Sequence, residues 1–167
     1  LQALARSEAS LAEAQALAAV GSWEWDLVGG GISWSAEALR QLGGPMPGAP
    51  PTYEAWLAAL HPDDRAAADA AVRQAREDGR PFDFVCRIAG PGGTPRVLHQ
   101  IGQADPGEDG KPARLRVTSQ DVTAQRELER QLRAQFEQLT EHRHRQRFEQ
   151  LRDAFVDAVA HDLKNPL

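Results

Sequence analysis

The chain has 167 residues, 41% of them hydrophobic and 26% charged, with 19 Lys and Arg against 24 Asp and Glu for a net charge of -5. That length suits one domain of ordinary size plus an extended element, and the acidic balance argues against a nucleic-acid-binding domain. The single cysteine, Cys86, excludes an internal disulfide and a multi-cysteine zinc site.

No stretch reaches the ~20 consecutive apolar residues of a membrane helix, and no signal-peptide pattern opens the chain. One cysteine fits a reducing compartment, so a cytoplasmic location without membrane contact is expected. The chain begins at Leu1 and stops at Leu167 inside a continuing pattern. It is therefore expected to be a piece of a longer protein, whose upstream part could carry a membrane anchor.

Residues 1–20 are rich in Ala, Leu, Glu and Gln without Gly or Pro, which predicts helix. After Gly21, Trp23, Trp25 and Leu27 alternate with Ser22, Glu24 and Asp26, the period of a strand with one buried face. Gly29, Gly30 and Gly31 then form a turn into a short return strand, Ile32-Ser33-Trp34. Ser35 caps a short helix that ends near Gly43 and Gly44, and residues 45–51, with four prolines, are loop. Thr52 precedes a second short helix over 53–60, and His61-Pro62-Asp63-Asp64 opens a third that runs to about Asp78.

Three strands follow, over residues 81–88, 96–103 and 113–122, separated by the turn Gly90-Pro91-Gly92-Gly93 and by residues 106–110. In the first, Phe82, Phe84, Cys86 and Ile88 alternate with Asp83, Val85 and Arg87. In the second, Val97, His99 and Ile101 read as the core face. Two strands, short helices and a three-stranded meander make an α+β domain on an antiparallel sheet.

Residues 123–164 contain neither Gly nor Pro. A continuous helix of that length spans about 60 Å, which no compact domain of this size buries, so a partner chain is required. Leu128, Leu132, Phe136 and Leu139, then Phe148, Leu151, Phe155, Val159 and Leu163, recur at the threes and fours of a coiled-coil seam. A polar gap over 140–147 breaks the heptad phase, which locally alters supercoil winding. From Ala124 onward eight basic residues balance eight acidic ones, so the negative charge lies entirely before the helix.

Three motifs in this order resemble a PAS domain of bacterial sensor kinases. They are Gly21-Ser22-Trp23-Glu24-Trp25-Asp26-Leu27 with Trp34-Ser35, His61-Pro62-Asp63-Asp64-Arg65, and Asp121-Val122-Thr123 running into the charged helix. The sequence departs from that family in the Gly90 to Thr94 turn and at Val97. A second stretch, Phe155 followed by Val159-Ala160-His161-Asp162-Leu163-Lys164-Asn165-Pro166-Leu167, resembles the histidine box of the HisKA dimerisation and phosphotransfer domain.

Together these resemblances imply four parts: a linker helix over 1–20, a PAS domain over 21–123, a coiled-coil signalling helix over 124–150, and the start of a phosphotransfer domain over 151–167. The implied fold is a five-stranded antiparallel PAS sheet with short helices, then a long coiled-coil helix leading into a dimeric helical bundle. The implied function is signal input to a two-component sensor histidine kinase, in which His161 is autophosphorylated and passes phosphate to a response-regulator aspartate.

His161 lies about 200° around the helix from Val159 and Leu163, so it points away from their seam. Imidazole is the side chain whose neutral, nucleophilic form predominates near neutral pH. By resemblance, Asp162 is the general base, Asn165 one helical turn on orients the water that removes phosphate from the regulator, and Pro166 bends the helix. Asp121 and Thr123 tie the last strand to the helix and transmit the signal.

The implied partners are a second copy through the N- and C-terminal helices, a response-regulator receiver domain, and an ATP-binding domain that this stretch lacks. ATP and Mg belong to the whole kinase, and this stretch alone should be inactive. No cofactor is assigned here, although helices of PAS-like domains can enclose a small ligand.

Trp23, Trp25, Trp34 and Trp56 either line such a pocket or form plain core. Cys86 lacks the flanking residues of a flavin-adduct site. His61 and His99 are conceivable haem ligands, with helix capping and core packing as their alternatives, and His142 with His144 fits a solvated helix face. Two rival readings remain: a PAS docking module without ligand, and a PAS sensor feeding another output such as a cyclase.

Overall fold

A computed structural model of the chain describes residues 2–44 and 51–164; of the Pro-rich 45–51 loop, only Pro51 lies inside that range. Two compact units divide at Thr123, and each is described by itself.

The first unit opens with α1 (Gln2–Leu17) and β1 (Val20–Asp26). The helix ends sooner than composition predicts, because Val20 already pairs with Gln120 of β5 (Pro112–Asp121). The chain turns at Ala19, whose φ of 53° is left-handed without the glycine that usually relieves such geometry. Two hydrogen bonds onto its carbonyl hold it there: Asp121 N and Gln41 Nε2 both donate at 3.0 Å.

The β1–β2 hairpin closes on Ile32–Trp34. Asp26 Oδ1 accepts from Val28 N and Gly29 N, and these bonds hold its carboxyl below the ordinary carboxylate value. Ser35 Oγ accepts from Ala38 N to cap α2 (Ala36–Gln41) and from Ser22 N to fasten that helix to β1. Thr52 caps α3 (Tyr53–Ala59) in the same way, accepting from Ala55 N. In α4 (Pro62–Asp78) the proline fills the first turn, where no N–H is missed, and Gly79 ends the helix with a left-handed φ of 69°.

β3 (Phe82–Ala89), β4 (Pro95–Pro106) and β5 complete one antiparallel sheet in the order β2-β1-β5-β4-β3, with a 3-10 turn, Pro91–Gly93, before β4. The fold is the α+β architecture read from the sequence: five antiparallel strands, short helices against one face, then α5 (Thr123–Lys164).

The inner face carries Trp23, Leu115, Val117, Leu98, Cys86 and Ile88, closed over by Trp56 and Leu60 and by Val72 and Ala75 of α4. An unbroken aromatic run crosses it. Trp34 stacks on Trp23 at 5.2 Å, Trp23 meets Trp56 at 5.4 Å, Trp56 meets Tyr53 at 5.6 Å, and Tyr53 meets Trp25 at 5.0 Å. The Arg76 guanidinium covers Trp25 at 4.1 Å, so the outer end of the run meets a cation. Trp23 and Trp56, each 2% exposed, are therefore packed core, and Trp25 and Trp34 pack against it partly buried.

One face was misread. In β4 the inward residues are Leu98, Gln100 and Gly102, and Val97, His99 and Ile101 lie on the outer face. Register decides it: Gln100 pairs with Ser119, and Gly102 with Val117 on one side and Phe82 on the other. The glycine gives the Phe82 ring its room. A polar glutamine in the core disguised the alternation.

Gly21 has a comparable role in β1. A Cβ there would sit 2.7 Å from the backbone N and Cα of Ala38, so α2 lies directly on the strand. Backbone cannot yield as a side-chain tip can. Gly21→Ala should therefore lower stability by about 1–3 kcal/mol, read as a lower urea midpoint at unchanged slope; an unchanged midpoint contradicts this packing.

Candidate functional site

The end of β5 forms a closed hydrogen-bonded knot. Asp121 Oδ1 accepts from Thr123 N at 3.0 Å and from Thr123 Oγ1 at 2.6 Å. Thr123 Oγ1 in turn accepts from Val97 N at 2.9 Å, and Val122 N donates to the Val97 carbonyl at 2.9 Å. The second carboxylate oxygen, Oδ2, lies 3.3 Å from Arg96 Nη1. Thus the first residue of α5 is bonded both to the strand that precedes it and to the neighbouring strand β4.

Sequence reasoning named Asp121 and Thr123 and missed Arg96, Val97 and Ala19. Only cross-strand register brings them together, since Leu98 is the residue opposite Asp121. Gly90 also belongs here: a Cβ on it would come within 2.8 Å of Arg96 Cδ and Nε, so its bare backbone lets that side chain pass.

The His61-Pro62-Asp63-Asp64-Arg65 motif is a clamp on the sheet edge. His61 Nδ1 accepts from Asp63 N at 3.3 Å as the cap of α4, and His61 N donates to the Arg87 carbonyl at 2.8 Å. Asp64 takes Arg87 through three bonds, from its backbone N at 2.8 Å, Nε at 3.0 Å and Nη2 at 2.7 Å. Together with the Leu60–Ile88 bridge, this occupies the free edge of β3. Arg65 folds back onto the carbonyls of Leu60 and Ala58. His61 is thus a helix cap. His99, on the outer face, pairs with Asp83 at 2.6 Å instead of lying in the core.

The Arg87 side-chain bonds hold the Asp64 carboxyl at about 2, down from 3.8. A carboxyl whose folded value is depressed contributes stability in full above its unfolded value and loses it as pH falls through the folded one.

Cys86 is 1% exposed, and burial pushes its thiol up to about 12. The reactive thiolate is therefore disfavoured there. Among the described residues no group of three or more His, Cys, Asp and Glu side chains is placed to hold a metal ion, and no helix is long and apolar enough to cross a membrane. The aromatic run leaves a core cavity of about 10 Å³ lined by residues that include Trp23, Gln41, Gln100 and Ser119. Gln41 and Gln100, both buried, are further residues that sequence reasoning missed.

In the second unit no residue of α5 is buried, and the seam leucines and phenylalanines stand open, from Leu128 at 57% to Leu163 at 77% exposed. His161 and Asp162 are also exposed, and His161 Nδ1 lies 3.6 Å from Asp162 Oδ1, charge-pair range but beyond a hydrogen bond. His142 and His144 stand on the same solvated helix. Asn165, Pro166 and Leu167 lie outside the described residues.

A family model described as PAS fold matches residues 31–119, more than half of the chain. The sensor protein FixL of Bradyrhizobium diazoefficiens is 29% identical over 114 residues, which cover 68% of this chain and 22% of that protein. The chain thus spans about a fifth of the length of that curated relative. The sensory box histidine kinase/response regulator of Burkholderia thailandensis is 29% identical with a TM-score of 0.56, over 75% of this chain and 94% of that one. The N-terminal domain of a diguanylate cyclase with PAS/PAC sensor from Marinobacter aquaeolei shares the fold, at 16% identity and a TM-score of 0.57, over 64% of this chain and 98% of that one.

Two outcomes test the geometry. Asp121→Ala removes the acceptor of both Thr123 bonds, which should cost about 1–3 kcal/mol locally. Amide exchange at Thr123 and Val97 should then accelerate roughly ten- to hundredfold while the inner strands stay protected; unchanged exchange would show that the knot holds nothing. Asp64→Asn should lower the urea midpoint at pH 7, and the gap to wild type should close as pH falls from about 4 towards 2. A gap independent of pH contradicts the clamp.

Proposed function

The chain belongs to the PAS-fold family, and from that premise we propose that it is the sensory and relay part of a two-component sensor histidine kinase. The observation that carries the reading is continuity. The central strand of the PAS sheet ends in the Asp121–Thr123 knot, and the same chain proceeds without a break into a 42-residue helix. His161 stands near the far end of that helix in a histidine-box sequence. The likeness to the sensor protein FixL and to the Burkholderia thailandensis sensory box histidine kinase/response regulator supports it.

In this reading residues 1–20 are a linker helix, 21–123 the PAS domain, 124–150 the signalling helix and 151–167 the start of the phosphotransfer domain. Two copies associate in parallel through α1 and α5, because a helix with no buried residue and an apolar seam gains its stability from a partner. Strain in the PAS core shifts the Asp121–Thr123 junction, changes the packing of the paired helices and so alters access to His161.

The chemistry is phosphoryl transfer. An ATP-binding domain elsewhere in the longer protein presents ATP with Mg. A neutral nitrogen of His161 attacks the γ-phosphorus as the bond to ADP breaks, and Asp162 takes the proton from the other ring nitrogen. The phosphoryl group then passes to a response-regulator aspartate, and Asn165 orients the water that, in a separate hydrolysis, attacks that aspartyl phosphate and releases inorganic phosphate. A second reading, a PAS docking module without ligand, is favoured by one observation: among the described residues, the cavity bordered by Trp23, Trp34 and Trp56 has a volume of about 10 Å³.

Supplying the ATP-binding domain of the longer protein with ATP and Mg should place an acid-labile phosphate on His161, and His161→Gln should abolish it. Labelling that survives the substitution would refute the assignment. Sedimentation should give a dimer, with Leu151→Asp and Phe155→Asp shifting it to monomer. A monomeric wild type removes the paired-helix relay.

A further inference from the structure

Among the described residues, two buried polar atoms of the PAS core, Trp23 Nε1 and Gln100 Oε1, have no hydrogen-bond partner. Trp23 is 2% exposed and Gln100 fully buried. Both residues line the cavity of about 10 Å³, with Trp34, Gln41, Trp56 and Ser119. An indole N–H only donates, and an amide oxygen only accepts. Leaving either unpaired out of water costs free energy that a folded core ordinarily recovers. Ser119 Oγ, which accepts from Gln100 Nε2 at 2.8 Å, keeps a rotatable proton of its own.

A donor, an acceptor and a hydroxyl around a space of that size suit one molecule and no larger ligand. About 10 Å³ is close to the smallest volume that admits a water, which needs two to four polar partners. Anything bigger must displace Trp23 together with Trp34, stacked on it, or Trp56, tilted against it. We propose that this cavity is a binding site for a single water molecule, which accepts from Trp23 Nε1–H and donates to Gln100 Oε1.

The site is not an isolated filling. Beyond Gln100 and Ser119, Gln41 Nε2 donates to the Ser119 carbonyl at 2.9 Å and to the Ala19 carbonyl at 3.0 Å, and Asp121 N donates to that same Ala19 oxygen. The water is the link that joins the central tryptophan to a hydrogen-bond chain ending at Asp121. Its presence is independent of whether His161 is phosphorylated.

The test uses the 1–167 chain. Rotating-frame water–protein NMR should show a cross-peak between a long-lived water and the Trp23 indole proton. A high-resolution crystal structure should show one compact peak within hydrogen-bond distance of both orphaned atoms. Gln100→Met, which removes the acceptor at similar volume, should lose the cross-peak while the other indole signals keep their dispersion. A wild-type cavity without cross-peak and without density overturns the proposal, as does density extending into an organic molecule. A cross-peak that persists in a folded Gln100→Met variant overturns the role of Gln100. Should that variant fail to fold, the two wild-type measurements decide alone.

Discussion

The Asp121 carboxylate is the constraint on which the arrangement depends. It ends β5, the middle strand of five, and takes both donors of Thr123, the first residue of α5. Its other oxygen faces Arg96, and its backbone N–H reaches the Ala19 carbonyl beside β1. One residue thereby joins the two strands that flank β5 to the helix that leaves it. In the relay we propose, a change in how those strands sit would reach Thr123 through contacts of 2.6 to 3.3 Å.

Behind that knot the core combines two unlike materials. The aromatic run from Trp34 to Trp25 supplies bulk apolar burial and tolerates little open space. Beside it runs a polar seam of Gln100, Ser119 and Gln41, whose directional bonds specify how α2 seats on β1 and β5. Gly21, pressed against Ala38, and Ala19, held with a left-handed φ, are the local costs of seating α2 that closely. An apolar core alone would pack; the seam makes one packing preferable to its neighbours. That Ala19 is both strained and doubly hydrogen-bonded places stored strain at the junction that we propose carries the signal.

The long helix obeys different physics. Its charge is balanced, it carries no Gly or Pro, and it buries none of its own residues. Propensity and surface pairs such as Glu127 with Arg130 and Gln131 support it locally. Such pairs contribute only tenths of a kcal/mol each, so the open row of Leu and Phe side chains is its principal reserve of stabilisation. The proposed parallel pairing follows from that imbalance, and the phase break over 140–147 is where two packings would interchange.

Strand and helix positions were legible in the sequence because each rests on nearest-neighbour chemistry: alternation in β1 and β3, Ser35 and Thr52 as caps, Pro62 at a helix start, Gly79 at a helix end. The Asp121-Val122-Thr123 motif was readable for the same reason, being contiguous. What the sequence by itself could not determine is everything that depends on which strands lie side by side. His99 was expected on the core face with Val97 and Ile101, since alternation identifies two faces without saying which one the helices cover. Arg96 as partner of Asp121, Gly90 as its passage and Gln41 as a bridge 78 residues from Ser119 exist only through register. Local rules act over three or four residues, whereas a buried hydrogen bond joins groups that the chain brings together only after the sheet has closed; that is why tertiary structure alone decided the polar seam and the knot.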